Sequence, residues 1–325
     1  MGPVPATYTG HYTGHYTGYH FMTHTLNAER LLIYGLEAGG KSECWIDLLL
    51  KTADDPTPPK FYVIDTDGSA KYSVVDMAAT MNLDEAATDA LLARCRIWQC
   101  DDPYGALIGP DGKITHHETQ WEAIEKATEA IRRARPKPHS WIVIDRIDTA
   151  FEAVQGWWIA KAYQDDYSNY WATLKAEQEE ASGGTARDYG GFLGNRDWLP
   201  IKRTYSNTIK ALLTAPQVHK IGVALAKPPF AQSAKAEEQR KQYGDLMPAG
   251  EGSQGADFWT IVQVGRKNDG THNLWVRWTK RRGGIGEIAA NGTPKPVNIT
   301  AEDGTPAFYD NWFMPYFVNN SMGEG

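Results

Sequence analysis

The chain has 325 residues, 42% of them hydrophobic, enough for one large α/β domain with appendages. Its 33 basic and 40 acidic residues leave a formal charge of −7, which excludes a whole-molecule attraction to nucleic acid or to an anionic membrane surface; any such contact needs a local basic or aromatic patch. Cys44, Cys95 and Cys100 lack C-x-x-C spacing and argue against a disulfide framework or zinc site, and no run reaches the ~18 apolar residues of a membrane helix, so a cytoplasmic protein with no membrane partner is expected.

Residues 1–26 carry a Y-T-G-H near-repeat with neither helical nor strand period, and read as a low-complexity flexible arm. Its histidines, His11, His15, His20 and His24, sit on a Gly-rich segment that does not preorganise metal ligands. From residue 27 to 290, short apolar runs alternate with helical stretches, the pattern of a mostly parallel sheet covered by helices. Strands are predicted at residues 31–34, 61–64, 97–100, 141–144 and 221–226, and helices at 42–51, 70–81, 84–94, 117–134 and 199–214. The continuously apolar Trp141-Ile142-Val143-Ile144 suits a sheet buried on both faces. Further on, the runs 258–267 and 272–280 flank Asn268-Asp269-Gly270, a hairpin signal. The tail, residues 291–325, brings Trp312, Phe313, Tyr316 and Phe317, which are expected to pack back on the core.

The stretch YGLEAGGKSEC directly follows the first predicted strand and matches the phosphate-binding pattern G-x-x-x-x-G-K-[ST]. Such a loop works because glycines let backbone N–H groups converge on a phosphate at a helix N-terminus, while the lysine reaches the β/γ oxygens and the hydroxyl ligates Mg²⁺. Here the loop is Gly35, Leu36, Glu37, Ala38, Gly39, Gly40, Lys41 and Ser42, followed by Glu43, and the implied ligands are ATP and Mg²⁺. Glu37 is unusual, since a carboxylate is repelled by a triphosphate; a solvent-facing side chain is the simplest reading. A second carboxylate, holding the metal through water, is expected at the end of another buried strand, and WIVID offers Asp145. Asp148 either caps the next helix or joins the site. In FYVIDTDGS, Asp65 and Asp67 are candidates to orient an attacking water; their alternation aims only one at the nucleotide, and a plain strand-ending turn is the competing reading.

Taken together, from about Leu31 to Gly284, these parts resemble the RecA-fold recombinase ATPases, particularly the small phage-encoded RecA-like ATPases of single-strand annealing and recombination. The resemblance implies a RecA-like P-loop core with a C-terminal β-hairpin. It puts Asp67 of VIDTD in the place of the catalytic glutamate, and matches Lys227 of GVALAKPP to the γ-phosphate sensor. It identifies residues 228–255, with Lys235, Arg240, Lys241 and Tyr243, as a DNA-binding loop, against the plainer reading of a solvated one. The aromatic-rich segment 155–203 is matched to a second DNA loop, with core packing as the alternative. Lys280, Arg281 and Arg282 become cations supplied to a neighbouring subunit's site, which implies a homo-oligomer or filament. One departure stands out: the family's Ser or Thr after the strand-ending aspartate is Arg146 here. The expected function is ATP hydrolysis coupled to single-stranded DNA in phage recombination, repair or replication. The alternatives are a small-molecule P-loop kinase and an ATP-bound scaffold without turnover.

Overall fold

The computed structural model describes residues 28–101, 119–163, 195–214, 217–229, 237, 239–240, 243–252, 254–279 and 294–321. The arm at residues 1–26 lies outside them. The strands are β1 (Arg30–Gly35), β2 (Phe61–Asp65), β3 (Cys95–Gln99), β4 (Trp141–Asp145), β5 (His219–Lys227), β6 (Met247–Pro248), β7 (Thr260–Arg266), β8 (His272–Thr279) and β9 (Val297–Asn298). They form one mixed sheet in the order β3-β2-β4-β5-β1-β7-β8-β9, with β6 paired to β5. The pairings from β3 through to β7 are parallel, and β7, β8 and β9 pair antiparallel.

The continuous apolar runs have the reason the sequence suggests. In β1, β2 and β4, alternate side chains enter two cores, one on each face of the sheet. Leu32, Tyr34, Ile142 and Ile144 pack with α4 (Gln120–Ala134) and α5 (Ile147–Tyr163); Leu31, Ile33, Phe61 and Val63 pack with α1 (Lys41–Lys51) and α2 (Ala70–Thr80). Trp312, Phe313, Tyr316 and Phe317 lie in the second of these cores. A capping box fixes the start of α4: the Thr119 hydroxyl accepts from the Glu122 amide, and the Glu122 carboxylate accepts from the Thr119 amide.

Several elements shift at their ends from the sequence reading, β5 starting at His219 and α4 at Gln120, and two shifts have a visible cause. β3 begins at Cys95, two residues before the predicted strand, because α3 (Glu85–Arg94) passes directly into it. The helix expected at 199–214 starts earlier, as α6 (Asn195–Tyr205), and widens into a π-helical turn, Ser206–Lys210, before Ala211–Thr214. Lys202 from α6 and Lys210 from that turn converge on buried Glu251, at 3.2 and 3.3 Å. The buried Glu251 carboxylate needs a cation, and the half-exposed Lys202 and the largely buried Lys210, which also meets Asp257 at 3.1 Å, fix the helix against the segment that leads back to β7.

The parallel strands deliver their carboxyl ends to one edge, where β1 runs into α1, β2 into α2 and β4 into α5. β5, lying between β1 and β4, is kept close to both cores by Gly222, where an added Cβ would stand 2.6 Å from Cζ of fully buried Phe258. Gly222→Ala is expected to destabilise the chain by about 1–3 kcal/mol through overpacking. Urea unfolding checks this: the midpoint should fall at an unchanged slope, and an unchanged midpoint would mean that Phe258 can yield.

Candidate functional site

The loop between β1 and α1 is held from below by packing. A Cβ on Gly35 would come 2.2 Å from the Val264 carbonyl oxygen of β7, so a side chain there is blocked by backbone. Gly40, the N-cap of α1, has φ of 81°, and its Cα faces the His272 ring, 3.0 Å from where a Cβ would lie. No side chain caps the helix, so its first-turn amides present positive charge to whatever lies above them. Ala38 also has a positive φ of 51°, and Leu36, Glu37 and Ala38 form the exposed crest of the loop. Glu37 is thus on the solvent side.

Lys41 is largely buried and donates to the Leu36 carbonyl oxygen at 2.6 Å, across the loop it follows. Burial holds its ammonium below the usual lysine range, and the nearby Arg146 charge adds to this. Ser42 donates to Asp145 Oδ1 at 3.2 Å, and Trp45 Nε1 donates to Asp145 Oδ2 at 3.0 Å. The carboxylate at the end of β4 is therefore bonded to the first turns of α1, though β5 and β1 lie between. Burial pushes its pKa up to about 6, against the two hydrogen bonds and with Asp67 adding to the rise.

Asp65 stands beside Asp145 in register. Its two oxygens accept from the Gly68 and Ala70 amides, each at 3.0 Å, so it closes the turn and starts α2. Burial raises it to about 7, with Asp67 and Asp145 contributing. Asp67 is the outward member of the pair, and the reason is the turn rather than strand alternation: β2 ends at Asp65, and the bend through Thr66 and Gly68 turns Asp67 to the exposed side, whereas residues two apart in a continuing strand would share a face. It accepts from the Ser69 amide and hydroxyl, at 3.2 and 2.6 Å, and lies 3.9 Å from Arg146. Arg146 adopts φ of 66°, rare for a long side chain, and the Thr66 hydroxyl lies 2.9 Å from both the Asp145 and Arg146 carbonyl oxygens. Its guanidinium forks onto Asp148 at 3.2 and 3.1 Å. Asp148 is thereby paired as well as at the start of α5. Lys227, at the end of β5, is held below the usual lysine range, first by burial, against the pull of Glu152 and Asp148.

The structure therefore brings Gly35 to Ser42, Asp65, Asp67, Asp145 and Lys227 to one edge of the sheet. Of the proposed DNA-contacting residues, Arg240 is exposed, but Tyr243 is buried. Its ring meets Tyr34 edge-on at 6.3 Å, and its hydroxyl stands 2.5 Å from where a Cβ on Gly255 would lie. Tyr243 is thus packed into the core here rather than presented to solvent, where the expected stacking on bases would need it. Trp157, Trp158 and Trp198 likewise pack on the core, and Trp158 Nε1 donates to Asp197 at 3.1 Å. Lys235, Lys241, Lys280, Arg281 and Arg282 lie outside the described residues.

Sequence reasoning missed Trp45 and His272. Nothing marks a tryptophan four residues past the motif lysine as an acceptor's partner. His272 follows the hairpin turn, and the hairpin's position beside the loop is set by the parallel pairing of β7 with β1. Its Nδ1 lies 3.4 Å from Glu43, and its Nε2 is buried without a hydrogen-bond partner. A buried carboxylate, a hydroxyl and an ammonium at an uncapped helix start form a donor set suited to a phosphate chain with a hydrated divalent cation. Among the described residues, no cluster of three or more His, Cys, Asp or Glu forms a metal cage by itself, and no helix is long and apolar enough to cross a membrane. No protein-family model matches the chain, and no curated protein matches it by sequence.

Asp65 and Asp145 hold protons more tightly in the folded chain, at about 7 and about 6, than in an unfolded one, near ~3.9. In the window between, the native state keeps protons that the unfolded state has released, so stability falls as pH rises through it. Asp145→Asn removes one such buried charge. The ligand-free variant should melt above wild type at about pH 8, with the gap closing towards about pH 4, where wild-type Asp145 is itself neutral. Melting curves across that range check this, and a variant equally destabilised at both ends would show that the Ser42 and Trp45 bonds outweigh burial.

Proposed function

We propose that the chain is a RecA-like P-loop ATPase that binds Mg·ATP in the Gly35–Ser42 loop and acts on single-stranded DNA, in the manner of phage recombination ATPases. The observation that carries this reading is the bond from Ser42 to the strand-ending Asp145, beside Lys41 at an uncapped helix start. A sequence motif alone does not require those parts to meet. The mostly parallel sheet, the closing β7–β8 hairpin and the common edge of β1, β2, β4 and β5 further support it.

On this reading, Lys41 leaves the Leu36 carbonyl and extends along the β/γ oxygens, while the loop amides take the β-phosphate. Ser42 and Asp145 hold Mg²⁺, the latter through water; the ion supplies charge neutralisation at the phosphates when bound. Asp67 orients the attacking water from the far side. Lys227 faces the same edge and leads into the segment after β5, through which nucleotide state would reach DNA affinity. Self-assembly would add Lys280, Arg281 or Arg282 from a neighbour. A second reading, a nucleotide-holding scaffold without turnover, draws on Asp67 being engaged by Ser69 and Arg146.

ATP binding and hydrolysis with and without single-stranded DNA test the reading. Wild type should bind Mg·ATP and turn it over faster with DNA. Lys41→Ala should lose nucleotide, whereas Asp67→Asn should keep it and lose turnover by roughly a hundredfold or more. Bound nucleotide with no turnover in DNA would favour the scaffold, and phosphorylation of a small acceptor without DNA would favour a kinase.

A further inference from the structure

Arg146 is the feature of this corner that the reading above does not use. Its backbone is left-handed, and this carries the side chain back across the edge of the sheet. There it pairs with Asp148, whose side chain is 3% exposed, and lies 3.9 Å from Asp67. Its charge also bears on Lys41, where it is the largest influence after burial. A planar, permanently charged fork close to Asp67 and bearing on the motif lysine is the kind of group that stabilises negative charge developing on a transferring phosphate.

We propose that Arg146 is a built-in arginine finger, a cation supplied within the same subunit to the terminal phosphate of bound ATP, and that Asp148 and Asp67 latch it in the ligand-free state. This rests on the reading that the Gly35–Ser42 loop binds a nucleoside triphosphate. Arrival of the γ-phosphate offers the guanidinium a more highly charged partner than Asp67. Arg146 then swings to the phosphate oxygens, and Asp67 is freed to receive a water proton. The water oxygen bonds to the γ-phosphorus as the bond from that phosphorus to the β–γ bridging oxygen breaks. The electron pair of the broken bond stays on ADP, the proton passes to Asp67, and the products are ADP and inorganic phosphate.

The latch gives the two partners opposite effects, which a merely structural ion pair would not. Arg146→Asn removes the charge with a residue that tolerates the left-handed backbone; Arg146→Lys keeps a charge but loses the fork. Equilibrium binding of fluorescent ADP, of ATP, and of ADP with aluminium fluoride, all with Mg²⁺, gives a readout apart from turnover. Arg146→Asn should bind ADP as wild type does, lose the preference for ATP and for ADP with aluminium fluoride, and turn over roughly 10³-fold more slowly or worse. Arg146→Lys should fall between. Asp148→Asn, which opens the latch, should bind ATP several-fold more tightly than wild type, and so keeps the test decisive if Arg146→Asn folds poorly. The per-subunit rate lost in Arg146→Asn should not return when wild-type subunits are mixed in.

An Arg146→Asn protein with wild-type ATP preference and turnover would overturn the assignment alone, as would an Asp148→Asn protein with weakened ATP binding. If wild type shows no Lys41-dependent binding of Mg·ATP, the nucleotide reading falls and this assignment falls with it.

Discussion

A carboxylate buried at the end of β4 organises the edge of the sheet on which everything else is built. An ionised Asp145 without partners would cost several kcal/mol in such a place, and the fold answers with the Ser42 hydroxyl and the Trp45 indole. Both donors lie at the start of α1, so the bonds also fix how that helix leaves β1. The sheet's order gives this its value: β5 separates β4 from β1, and no backbone ladder joins the two strands. The side-chain bridge spans the gap. Gly35 completes the geometry from the other side, since the β7 carbonyl at Val264 leaves no room for a side chain beneath the loop. That glycine is required by packing, whatever the loop binds.

The same corner is overloaded with negative charge. Asp65, Asp67, Asp145 and Asp148 crowd there against Lys41 and Arg146, and the raised pKa values of Asp65 and Asp145 come first from burial and then from that crowding. Two devices contain it. Asp65 spends both oxygens on the backbone amides that open α2, and Asp148 is forked by Arg146. An excess of carboxylate at a helix start that otherwise favours anions is a contradiction unless a cation joins them. On the proposed reading, a divalent cation held through Ser42 and Asp145 would supply that charge, and so binding would relieve the site as well as fill it.

Much of this was legible in the residues, for identifiable reasons. The strands were readable because a sheet buried on both faces leaves uninterrupted apolar runs such as WIVID, and their carboxyl ends carry the site. The hairpin followed from Asn268-Asp269-Gly270. Element ends were read less well: β3 starts early because α3 runs straight into it, and the π-turn after Tyr205 sits where Lys202 and Lys210 meet at Glu251, a contact far off in the chain. Tyr243 shows the limit most plainly. Its neighbourhood of Lys and Arg reads as a binding loop, yet the aromatic belongs to the core through Tyr34, 209 positions away in the chain, and no local pattern carries that contact.

Arg146 was visible as a departure from the resembled family but not as a solution. A Ser or Thr after the strand-ending aspartate would bring a hydroxyl to that corner, and Thr66 already brings one here, 2.9 Å from the carbonyls of both Asp145 and Arg146. With a hydroxyl supplied from just beyond β2, the position after Asp145 carries charge instead. A cation there acts at close range, among groups partly withdrawn from water, where a Coulombic interaction is several-fold stronger than at the surface. It also stands between two circuits: Asp67 towards the proposed nucleotide, and Asp148 with Glu152 towards Lys227, whose ammonium both acids favour. Moving one guanidinium from the acids to a phosphate would therefore be felt at the end of β5 through charge alone. A long conformational relay is not needed when the groups at the two ends share a carboxylate.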